Sequence, residues 1–166
     1  MENNKEILNK IGSGEPEQLA QAVKEIKENG DLSIAEELVN LLEQISDQHL
    51  LTVIINLLAD IKDNEFRKIV MRYIQNNASP ATKTALLRII WESPLDYSAY
   101  LPVFMNILQN DDFTTAFEAS TVIENMVHNL TEDQHHQLHH FIASFPSDKQ
   151  FLIENIHTEM GCCEED

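Results

Sequence analysis

Leu51-Thr52-Val53-Ile54-Ile55-Asn56-Leu57-Leu58 and, fifty residues later, Leu101-Pro102-Val103-Phe104-Met105-Asn106-Ile107-Leu108 read as two versions of one segment. In each, apolar residues recur at three- and four-residue spacing, the period of a helix with one buried face. Each is followed by an acidic turn and a further amphipathic run. The first of these turns reads Asp63-Asn64-Glu65-Phe66-Arg67. A helix, a short acidic turn and a second helix, used twice, is the pattern of stacked helical hairpins.

Working outward, the same punctuation recurs along the chain. A first helix is expected over about 3–11, closed by Gly12-Ser13-Gly14. A second opens at Pro16, where a missing N–H costs nothing, carries Leu19, Ala22, Val23 and Ile26, and stops at Asn29-Gly30. Ser33 with Glu36 reads as a capping box for a third helix. Asp47 starts a fourth and Asn64 a fifth, which ends at Asn76-Asn77. Ser79-Pro80 starts a sixth, broken by Ser93-Pro94. Four more follow, over about 98–109, 112–129, 131–145 and 147–159, with Thr131/Gln134 and Ser147/Gln150 as further capping boxes. No segment alternates with period two for long enough to make a strand. Links of a few residues force successive helices to pack antiparallel. The expectation is an all-α protein of about ten helices in a single domain over 1–160, with a flexible acidic tail over 161–166.

Composition agrees. Of 166 residues, 43% are hydrophobic, enough for a continuous core, while 4 Gly and 5 Pro are too few for a fold of many short strands. No run approaches the roughly 18–20 apolar residues of a membrane helix. Residues 1–6 are polar and acidic, unlike a signal or transit peptide. The two cysteines, Cys162 and Cys163, are adjacent, so no disulfide framework is expected. Cys163 is fourth from the end, but the acidic Glu164-Glu165-Asp166 after it is unlike a prenylation signal. These features fit a cytoplasmic protein.

Net charge is −17, and it is uneven. Residues 1–61 carry 4 basic and 12 acidic side chains, residues 62–88 carry 6 and 2, and residues 89–166 carry 1 and 14. Nucleic acid and anionic membranes are bound through clustered Lys and Arg, so neither is an expected partner. A basic protein would be steered toward the acidic half.

Leu57-Leu58 with Asp63, Phe66 and Arg67, and Leu101-Pro102 with Leu108 and Asp112, resemble the HEAT repeat family over about residues 48–128. Ala116 or Phe117 stands where that family's second-helix Arg would be, and 79–92 reads as an additional helix between the two units. The resemblance implies an α–α superhelix of hairpins and a protein-binding role, and it implies no chemistry. It also implies that Arg67 pairs with a turn aspartate, Asp63 or Asp112.

Candidates for chemistry are few. His135, His136, His139 and His140 form two i,i+4 pairs, a spacing that could share a metal. At about 100° per residue, however, Leu138, Ile142 and Phe145 define the buried side, with His136 and His140 opposite it. A solvated face is the expectation, and neither a metal nor a cofactor is assigned. Gly12-Ser13-Gly14 lacks the strand before it and the lysine after it of a phosphate loop. Trp91, Tyr97 and Tyr100 flank a proline turn, either packing a helix junction or lining a partner pocket. Arg67, Lys68, Arg72 and Arg88 form a basic island and are the candidate protein-binding residues, with Arg72 and Arg88 facing an acidic partner. The functional expectation is a non-catalytic adaptor or scaffold that binds a protein or peptide. The alternative is an acidic, immunity-type inhibitor that neutralises a basic protein.

Overall fold

Helix starts follow the caps. Asp47 Oδ1 accepts from Leu50 N at 2.8 Å, Asp63 Oδ1 from Glu65 N at 2.9 Å, and Asp112 Oδ1 from Thr114 N at 3.0 Å. Ser79 Oγ accepts from Thr82 N, with Pro80 at the first helical position. Thr131 and Gln134 close a reciprocal capping box. Each bond satisfies a first-turn N–H that has no partner within its helix.

The computed structural model describes residues 2–13, 15–29, 32–76 and 78–163, with the backbone alone at 2, 3, 16, 19, 27, 29, 162 and 163. Among these residues the fold is all-α, with ten α-helices: α1 Glu2–Gly12, α2 Pro16–Asn29, α3 Leu32–Leu41, α4 Gln48–Ala59, α5 Asn64–Gln75, α6 Pro80–Glu92, α7 Leu101–Asn110, α8 Phe113–Met126, α9 Glu132–Ala143 and α10 Glu154–Cys163. Short 3₁₀ turns extend α3 (Leu42–Gln44) and α8 (Val127–Asn129), and others precede α7 (Ser98–Tyr100) and α10 (Ser147–Leu152).

Three local expectations are corrected or displaced. Helix α3 is described from Leu32, one residue ahead of the expected cap Ser33, whose hydroxyl accepts from Asn4 Nδ2 at 2.8 Å. Ser147 and Gln150 make no capping box: Pro146 holds the cap position, and Gln150 Nε2 donates to the Phe145 carbonyl at 3.0 Å. The α-helix begins only at Glu154, after a 3₁₀ turn over Ser147–Leu152, and the Ser120 hydroxyl of α8 donates to the Leu152 carbonyl at that junction. At the C-terminal end α10 runs to Cys163, three residues into the stretch read as a tail, while 164–166 lie outside the described residues, as does Gly30 of the Asn29-Gly30 cap.

Packing joins both sequential helices and helices two apart. Helix α4 lies on α6, α6 on α8 and α8 on α10, while α3 lies on α5 and α7 packs across onto α8. Helices α1 and α2 pack chiefly on each other. Gln134 Nε2 at the start of α9 donates to the Ser98 carbonyl at 2.7 Å, which ties α9 to the turn before α7. One continuous cluster of buried side chains runs from Ile7 to Met160, with Phe66, Met71, Leu86 and Phe104 among its largest members. Burial at roughly 25 cal/mol per Å² of apolar surface makes this cluster the main stabilising term. Helix α8 is the hub, since its inner side carries Ala116, Ala119 and Ser120, small enough for neighbouring backbones to close on it.

Candidate functional site

The basic island exists, but its cations face their own neighbours. Arg67, on the second turn of α5, donates through Nη1 to the main-chain carbonyl of Asp96. The expected pairing with Asp63 or Asp112 is therefore wrong. Both of those carboxylates are engaged in capping α5 and α8, and the Arg67 side chain instead reaches the link that follows α6. Lys68 Nζ sits 2.7 Å from Glu65 Oε1, one turn back on the same helix. Arg72 pairs with Glu36 of α3, stitching α3 to α5, and its guanidinium lies 5.6 Å from the Tyr73 ring centroid. Arg88 Nε donates to Glu92 Oε1 at 2.7 Å within α6. Lys83 of the same island holds Asp111. Exposed pairs of this kind contribute about 0.2–1 kcal/mol each.

Trp91, Tyr97 and Tyr100 pack the junction after α6. Tyr97 is 2% exposed, and its hydroxyl has no hydrogen bond of normal geometry among the described residues. Burial pushes the Tyr97 hydroxyl well above the usual phenol range, opposed by the nearby positive charge of Arg67. The Trp91 indole N–H donates to Glu118 Oε2 at 2.7 Å, linking α6 to α8. Trp91 and Tyr97 thus have a packing role, and both also line a small cleft of about 130 Å³ beside Pro94 and Met126.

His136, His139 and His140 are exposed and His135 is half-buried, as the helical wheel places them. Among the described residues no three His, Cys, Asp or Glu side chains converge to hold a metal ion, and no helix is long and apolar enough to cross a membrane. A groove of about 600 Å³ opens between α2, α3 and the end of α4, with Ile26, Leu32 and Leu57 as apolar lining and Asp60, Lys62 and Asp63 beside them.

The feature that sequence reasoning missed lies in the acidic half. Phe113 and Phe117 on α8 and Phe151 on the turn before α10 are 62%, 55% and 54% exposed. Their rings meet, with centroids 6.4 Å apart for Phe113–Phe117 and 5.9 Å for Phe113–Phe151. The signal was present: Phe113 and Phe117 are i,i+4, and the small residues Ala116, Ala119 and Ser120 form a competing face of α8. Spacing alone does not say which of two adjacent faces turns inward. No family model matches the chain, and no curated protein or solved structure matches it either.

Proposed function

We propose that this chain is a non-catalytic protein-binding adaptor of the cytoplasm, built as a HEAT-like stack of helices, whose partner is basic and is met by the acidic half. One observation carries this reading: the cations at 67, 68, 72, 83 and 88 are each engaged within the chain, whereas residues 89–166 carry a single lysine against fourteen carboxylates. Long-range attraction therefore favours a cationic partner and disfavours an acidic one. The sequential pairs α1–α2 and α7–α8, together with the packing of α4 on α6 and α6 on α8, support the repeat reading, since repeat stacks bury their core between neighbouring helical pairs and leave an extended outer surface. The basic island then acts as internal stitching.

The test is affinity capture with the whole chain at low and high salt. Basic proteins should bind and be released by salt, and Arg72→Ala with Arg88→Ala should leave the bound set unchanged. Capture of acidic partners that is lost in that double variant would overturn the proposal. The same charge favours a second reading, an inhibitor that neutralises a basic protein. A stoichiometric complex that abolishes the partner's own activity would select it over the adaptor.

A further inference from the structure

We infer that Phe113, Phe117 and Phe151 form the anchoring patch for an amphipathic, basic helical segment of a partner protein. The inference rests on the acidic-half reading above and assigns its contact point. Three touching phenylalanine rings, each more than half exposed, are an unusual use of apolar surface, since large rings are normally removed from water. They are the only large hydrophobic side chains left so exposed among the described residues.

Charge selects the occupant. The two segments that present the rings, 111–118 and 147–154, contain five carboxylates and one lysine. Lys83 neutralises Asp111, and Lys149 reaches the Gln109 carbonyl at 3.5 Å. Asp112, Asp148 and Glu154 have no ion pair among the described residues. In a 3₁₀ turn, residues three apart fall on one side, which places Asp148 on the same side as Phe151.

A second copy of this chain docking here would bring two such acidic rims together, so self-association is opposed. A segment with leucine-like side chains on one face and Lys or Arg on the flanks meets both parts of the surface. Its apolar face would cover the rings, and its cations would reach the carboxylates and the ring faces.

The experiment titrates the full chain with two synthetic peptides of identical Leu and Lys composition, at about 100 mM salt, where the Debye length is roughly 10 Å. One peptide segregates its leucines on a single helix face and the other scrambles them. The segregated peptide should bind at least tenfold more tightly and shift the resonances of the three rings. Phe113→Ser/Phe117→Ser/Phe151→Ser should fold normally, as the rings are exposed, and should lose the difference between the peptides while keeping weak binding to both. The single variant Phe117→Ser should lose part of it.

Retention of the full difference in the triple variant would overturn the patch. Equal binding of both peptides to the unaltered chain would overturn it too, while leaving the acidic-half reading intact. Binding of neither would remove both. A concentration-dependent dimer abolished by the triple variant would make the occupant a second copy and overturn the assignment.

Discussion

Phe104 of α7 is wholly buried, whereas Phe117 of α8, the next helix, is more than half exposed. Phe104→Ala is expected to cost about 3–5 kcal/mol, the lost transfer energy plus a cavity. Phe117→Ser should change stability by no more than about 0.5 kcal/mol. Urea unfolding of the two variants checks the contrast. Caps act at the same scale. Thr131→Ala removes the hydroxyl that accepts from Gln134 N and should cost about 1 kcal/mol. Asp112 gives a pH signature. Hydrogen bonds from Thr115, first its hydroxyl and then its backbone N–H, hold its carboxyl below the ordinary range. A folded-state pKa below the unfolded one contributes stability that is fully present above the unfolded pKa and lost as pH falls through the folded one. The stability difference between the unaltered chain and Asp112→Asn should therefore be constant near neutrality and shrink below about pH 4. A difference that grows on acidification would reverse this assignment.

Among elements, α8 and the α1–α2 pair stand at opposite ends. Helix α8 touches α6, α7 and α10, and Ala119 on its inner side is completely buried. Ala119→Leu inserts three carbons where backbones have closed on a small residue, with an expected loss of about 1–3 kcal/mol. Among the described residues, helices α1 and α2 pack mainly on each other. Their amides are expected to exchange with deuterium well before those of α6 and α8. Equal protection across the chain would show a single cooperative unit. Element starts at Asp47, Asn64, Ser79, Asp112 and Thr131 were legible in the sequence because each helix uses a local side-chain bond to its own first turn. The start at Ser147 was not: that stretch forms a 3₁₀ turn, whose end is tied to α8 by the Ser120 hydroxyl, 32 residues earlier in the chain. The similar segments 51–58 and 101–108 lie on α4 and α7, separated by both α5 and α6. Helix α4 packs on α6 and α7 on α8, so the two alike segments do not meet the same neighbour.

For the molecule as a whole, a net charge of −17 on 166 residues gives self-repulsion that folding concentrates. Raising salt from about 10 to 200 mM should screen that repulsion and raise the melting temperature. A fall would mean that the internal pairs, such as Arg72–Glu36 and Lys83–Asp111, outweigh it. The sequence by itself determined an all-α fold of about ten helices, the limits of most of them but not of the last, and the division of charge, because helix period, caps and ionisable groups are properties of residues near one another in the chain. It did not determine where the charges and rings end up. Only the tertiary structure turned Arg67 and Arg72 toward Asp96 and Glu36, and brought Phe151 against Phe113 from 38 residues away. The choice between two faces of α8, the small one inward and the aromatic one outward, is made by how closely α6, α7 and α10 can approach. That is a packing property of four helices together, and no single stretch of chain encodes it.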